Sequence, residues 1–175
     1  RGLTLIELMV TLALIALLTT LAVPSFVSML ANSKLKAATR AVLSQTRYAR
    51  DLAVRKQTYA RLVIDDVAGT SDVMVLMPAE EGEQETWETV TEDLGRERAL
   101  PDGVAFDRLI SSDPDGEPQV TFAPDGRGEE FYVSLTDGDD RRLAVRVDGV
   151  TGLAEILAAD EAEQREYLGG PEGGA

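Results

Sequence analysis

From Leu3 to Leu30 the chain reads LTLIELMVTLALIALLTTLAVPSFVSML, apolar on every helical face and interrupted by one charge, Glu7. Those 28 residues make a helix about 42 Å long at roughly 1.5 Å per residue. A hydrocarbon core needs only about 20 residues. Pro24 has no N–H to donate, so a kink is expected there. Thr11, Thr19 and Thr20 are tolerable in lipid because their hydroxyls can return to backbone carbonyls.

The pattern changes after Asn32-Ser33. In KLKAATRAVLSQTRYARDLAVRKQ, Leu35, Ala38, Val42, Ala49, Leu52 and Ala53 recur at helical spacing. Basic residues occupy the other faces, which predicts an amphipathic helix over 31–57 lying on a folded domain. The basic run reads as a solvated helix face, or as one near anionic headgroups.

From Thr58 the period shortens to two. TYARLVID (58–65), DVMVLM (72–77), LPDGVAF (100–106), QVTFAPDG (119–126), EFYVSLTDGD (130–139) and RRLAVRVDGVTGLAEI (141–156) read as short strands. Trp87 and Val90 suggest one more strand inside the acid-rich stretch 79–98. Pro-Asp-Gly and Asp-Gly turns separate them, as antiparallel hairpins require. The predicted fold class is α+β: a long N-terminal hydrophobic helix continues into an amphipathic helix packed on an antiparallel β-sheet head. The head is expected over 58–157. An acidic tail, 158–175, should start as a short helix to Leu168 and end disordered in GGPEGGA.

Composition narrows the chemistry. The chain has 175 residues and neither cysteine nor histidine. Disulfides, zinc–thiolate sites and histidine-dependent triads are therefore excluded. Residues 1–64 hold nine Lys+Arg and two acids, a balance of +7, and residues 65–175 hold eight and 29, a balance of −21. An acidic head repels phosphate backbones, so no nucleic-acid partner is expected. Paired acids invite a glycosidase reading, but 29 acids scattered over 111 residues make pairs inevitable. No cofactor loop appears, and neither catalytic residues nor a cofactor are assigned. Asp113-Pro114-Asp115-Gly116 and Asp137-Gly138-Asp139-Asp140 could offer oxygens to Ca²⁺. Turn chemistry alone accounts for both, and no metal ligand is assigned. Trp87 is expected to pack on the sheet rather than to anchor a partner.

Glu7 distinguishes the readings of the first segment. A cleaved secretory signal has a shorter apolar core, of roughly 7–15 residues, without an internal carboxylate. A plain single-pass anchor gains nothing from the charge. A buried core helix would not be apolar all round. A carboxylate inside lipid costs a few kcal/mol and is usually paired and functional. Leu3–Ser33 contains no Lys or Arg. Arg1 could reach Glu7 if retained, but a free amino terminus on a neighbouring copy is the better partner.

Gly2-Leu3-Thr4-Leu5-Ile6-Glu7-Leu8 resembles the prepilin cleavage motif of type IV pilins and type II secretion pseudopilins. The resemblance implies cleavage by a prepilin peptidase between Gly2 and Leu3, methylation of the new amine on Leu3, and Glu7 as the docking charge in assembly. Residues 1–2 would be the end of a leader and 3–30 the transmembrane and assembly helix. Leu3 departs from the phenylalanine usual after the glycine.

Farther on, Leu100–Val104, Val120-Thr121-Phe122-Ala123-Pro124-Asp125-Gly126, Thr151-Gly152 and the Ala49-Arg50…Ala53…Lys56 pattern resemble the GspH/FimT branch of that family. That branch implies a minor pseudopilin near the tip of a short periplasmic pseudopilus. Its implied partners are major and minor pseudopilins, the inner-membrane secretion platform and membrane lipid. It also implies an inner-membrane anchor with a periplasmic head. A FimT-like minor pilin of a type IV pilus, serving pilus assembly or DNA uptake, is the alternative.

Overall fold

The computed structural model describes residues 2, 4–78, 84–92, 94–111, 117–138 and 141–158, with side chains at 20–28 excepted. One helix, α1, spans Leu5–Lys56 and passes through position 24. Thr4 caps it: the Glu7 N–H points at Thr4 Oγ1 at 3.4 Å. This Thr-x-x-Glu spacing is that of a capping box, with the acid in the first turn where the helix dipole favours it. At the other end Gln57 adopts a left-handed conformation (φ 53°) and returns its N–H to the Ala53 carbonyl. Arg55 and Lys56 complement the dipole there.

Among the described residues nine strands follow: β1 (Ala60–Asp65), β2 (Thr70–Met77), β3 (Thr86–Thr89), β4 (Arg98–Ala99), β5 (Ala105–Ile110), β6 (Gln119–Phe122), β7 (Phe131–Thr136), β8 (Arg142–Val147) and β9 (Ala154–Ala158). The antiparallel head is divided into two sheets. One has the order β3-β2-β1-β6, with β4 also paired to β2, and the other has the order β5-β7-β8-β9. β5 and β6 are neighbours in sequence but lie in different sheets. β6 returns to pair with β1 (Leu62 opposite Val120), whereas β5 pairs with β7 (Leu109 opposite Val133). Hairpin spacing alone cannot encode that crossover.

The core lies where the C-terminal half of α1 meets both sheets. Leu35, Ala38, Val42, Ala49, Leu52 and Ala53 are all buried, the helical positions expected from the sequence. Against them pack Leu62, Ile64, Val73 and Phe122 from one sheet, and Phe131, Val133, Leu135 and Val145 from the other. Period-two burial sets the register: in β1, Ala60, Leu62 and Ile64 face inward while Arg61 and Val63 face out.

Some boundaries differ from the sequence reading. Leu100–Val104 is a turn, with the Val104 N–H on the Pro101 carbonyl and Gly103 at φ 84°, and its strand begins at Ala105. The anticipated helix at 158–168 and the GGPEGGA end lie outside the described residues, apart from Ala158, which closes β9.

Candidate functional site: an uncovered apolar arm and its junction with the head

Every described residue from Thr4 to Thr19 is exposed. Leu5, Ile6, Leu12, Ile15 and Leu18 are between 59% and 78% accessible, and Met29 and Leu30 remain exposed farther on. No described element of the head covers this arm. Apolar surface of such length marks a protein or lipid interface. Thr11 and Thr19 donate their hydroxyls to the Leu8 and Ile15 carbonyls, both at 2.8 Å, so neither presents an unsatisfied polar group. Among the described residues, no helix is long and apolar enough to cross a membrane.

Gly2 is exposed, and a Cβ built on it would meet nothing within 4 Å. Leu3 lies outside the described residues, as does the side chain of Pro24. Glu7 is exposed in the first turn, and its carboxylate makes no ion pair among the described residues. The arm therefore carries one carboxylate with no partner in its own described fold.

The C-terminal half of α1, which continues the arm, is fastened to the head, and its basic residues do much of the holding. Lys34 Nζ donates to the Asp102 carbonyl at 3.1 Å, and Arg47 Nη2 to the Ala154 carbonyl at 3.1 Å. Arg50 Nε donates to the Gly126 carbonyl at 2.9 Å, with Nη2 toward the Thr151 carbonyl at 3.4 Å. The basic face is thus only partly a solvated one; three of its cations bind backbone carbonyls of the head. Charged donors make stronger bonds to carbonyls than neutral ones. Gln45, buried, fixes the other side of the helix. Its Nε2 donates to the carbonyls of Ser71 (3.1 Å) and Arg96 (3.2 Å), and its Oε1 accepts from the Ser71 hydroxyl (2.7 Å).

Three of the sequence motifs meet at Arg50. Val120 and Phe122 are core residues, and Gly126 ends their turn at φ 83°. Gly152, from the β8–β9 turn, sits at φ 64°, and a Cβ there would come within 2.2 Å of the Gly126 oxygen. Asp148 holds that second turn: its Oδ1 accepts from the N–H groups of Val150 (3.1 Å) and Thr151 (2.8 Å) and from the Thr151 hydroxyl (2.8 Å). Those backbone and hydroxyl bonds keep the Asp148 carboxyl below the usual carboxylate range. The two sheets are therefore pinned together beneath one guanidinium. The family motifs were legible in sequence, but their convergence on Arg50 was not.

Other candidate residues occupy structural places. Asp137 pairs with Arg141 Nε at 2.6 Å, and among the described residues no group of acids could hold a metal ion. Residues 113–116, 139 and 140 lie outside the described residues. Trp87 is half-buried on the outer face of its sheet, with the Arg61 guanidinium 4.3 Å from its ring centroid.

Comparison with known proteins agrees with this architecture. A search of curated protein sequences returns no match. The fold resembles the minor pseudopilin EpsH from the type 2 secretion system of Vibrio cholerae, with a TM-score of 0.57 and 15% identity over 72% of this chain and 98% of that one. It also resembles Escherichia coli GspH, with a TM-score of 0.54 and 16% identity over 74% and 91%. The type IV minor pilin FimU of Pseudomonas aeruginosa gives a TM-score of 0.51 and 12% identity over 74% and 92%. Residues 1–23 match the prokaryotic N-terminal methylation motif. Residues 38–151 match the family described as type II transport protein GspH, and the chain belongs to that family.

Proposed function

We propose that this chain is a minor pseudopilin subunit that assembles near the tip of a periplasmic pseudopilus serving protein export. The observation that carries the reading is the uncovered apolar arm, continuous with the helix that packs on the β head, whose one carboxylate makes no ion pair among the described residues. A prepilin peptidase cuts between Gly2 and Leu3, and the amine of Leu3 is methylated. The arm holds the subunit in the inner membrane with the head in the periplasm. During assembly the arm leaves lipid for the packed helices of major and minor pseudopilins above the secretion platform. The Glu7 carboxylate meets a Leu3 amine, so neither charge stays uncompensated in a low-dielectric core. No catalytic step, metal or cofactor takes part.

A second reading, a FimT-like minor pilin, is favoured by the fold likeness to FimU. Deleting the gene separates the two: loss of protein export with pili intact supports the first, and the reverse pattern supports the second. The assembly mechanism is tested by Glu7→Leu. Insertion and processing should persist while recovery in sheared filaments falls about tenfold or more. Unchanged recovery would remove the charge-docking step.

A further inference from the structure

A groove of about 620 Å³ lies between α1 and residues 96–101, within the size of ligand-binding clefts. Its helix wall is built from small side chains, Ala37, Ala38, Ala41 and Val42. Such a wall leaves room for another backbone to lie close to α1. Two tethers hold the walls apart at a fixed distance. Lys34 Nζ binds the Asp102 carbonyl beyond Pro101, and Gln45 binds the Ser71 and Arg96 carbonyls. Ala37 and Ala99, on opposite walls, are both exposed, so the groove opens to solvent.

The strand wall is an open sheet edge. β4 pairs with β2 alone among the described strands, Ala99 opposite Thr70 and Arg98 opposite Ser71. The Leu100 N–H, next in that register, donates to the Gly69 carbonyl at 2.9 Å. Antiparallel bonds fall on alternate residue pairs. Ala99 therefore turns its own N–H and carbonyl away from β2, and neither is hydrogen-bonded among the described residues. An edge of this kind accepts an extended segment as one more strand.

The lining also has a sign. Arg96 and Arg98 line the groove against one acid, Glu97, and the Lys34 ammonium stands at its end. This local surplus of cations lies in a chain of net charge −14. Carboxylates are therefore favoured there and ammonium groups are not.

We propose that the groove between α1 and β4 receives an extended, carboxylate-bearing segment of a different protein, which bonds to the Ala99 backbone and places its acids toward Arg96 and Arg98. The arm takes no part in this contact, and the contact does not depend on the assembly reading above.

The test uses the full chain in detergent micelles and two fluorescein-labelled peptides, Thr-Glu-Val-Glu-Val-Thr and its counterpart with lysine for glutamate, read by fluorescence anisotropy. The acidic peptide should bind saturably and the lysine peptide at least about tenfold more weakly. Ala41→Trp, which fills the groove from a half-buried position, should abolish binding. Ala99→Pro removes the N–H that faces the groove and spares the Arg98 and Leu100 bonds to β2, so binding should fall about threefold to tenfold. Arg96→Glu should narrow the difference between the peptides. Thermal melts of the three variants establish that the head is still folded. No saturable binding of the acidic peptide, equal binding of both, or binding untouched by Ala41→Trp in a folded chain would each overturn the proposal. So would a chain ending at Ala158 that binds the peptide tenfold more tightly than the parent, which would make residues 159–175 the occupant. Self-association lost in Ala41→Trp, seen by sedimentation, would make a second copy the occupant and overturn it as well.

Discussion

Asp72 shows how one residue reports its surroundings. Burial pushes its carboxyl above the usual carboxylate range, and Glu97 and Glu117 add to that, while the Thr89 hydroxyl and Arg61 oppose it. A raised folded-state pKa means that ionised Asp72 costs stability at neutral pH. The cost fades as pH falls through the folded value and is gone below the unfolded one, near about 3.9. Asp72→Asn should therefore melt higher than the parent at pH 7 and level with it by about pH 3, read as melting temperature against pH. A gap that persists in acid would point to packing rather than charge. Gly152→Ala is a harsher change, because φ is 64° and the Gly126 oxygen lies 2.2 Å from the new Cβ. The expected loss is on the order of 1–3 kcal/mol, measured by denaturant titration. Glu7 differs from both, since nothing in the described fold depends on its carboxylate.

Elements are joined by a few polar contacts whose loss should exceed that of surface residues. Gln45→Leu would leave the Ser71 hydroxyl and two carbonyls without their partner at the α1–β2 junction. An unsatisfied buried group costs about 1–3 kcal/mol, so chemical denaturation should show a loss of that order, with Gln45→Glu no substitute at neutral pH. Arg50→Met keeps the apolar stem but removes the bonds to the Gly126 and Thr151 carbonyls. Charge-assisted bonds of this kind contribute about 1.5–3 kcal/mol. Amide exchange should then rise in both turns together, since one guanidinium binds them. Exchange confined to one turn would show that the two sheets are held elsewhere.

At the scale of the whole molecule the arm and the head obey different solvents. The head buries its core among its own elements, while the arm exposes apolar side chains along its described length. A fragment spanning residues 31–158 should therefore fold as a soluble unit with a single cooperative thermal transition. The full chain should require detergent or membrane. Circular dichroism and sedimentation check both, and aggregation of the fragment would show that the head depends on the arm.

The sequence by itself determined the parts governed by periodicity and local chemistry. Leu35, Ala38, Val42, Ala49, Leu52 and Ala53 declared the buried seam of α1 because helical geometry places them on one side. The strands declared themselves by alternation, and the arm by its apolar length with a single charge. Only the tertiary structure decided that the head is two sheets, because strand pairing is a long-range choice that spacing does not fix. It alone showed Lys34, Arg47 and Arg50 holding backbone carbonyls of the head, since a cation's partner is set by what the fold brings near it. It also placed Trp87 on Arg61 and Gly126 beside Gly152. Glu7 stands between the two kinds of knowledge: the sequence marked it as out of place, and the described fold leaves it without an ion-pair partner. A carboxylate in so apolar a helix is costly in lipid unless a group outside that fold supplies the opposite charge.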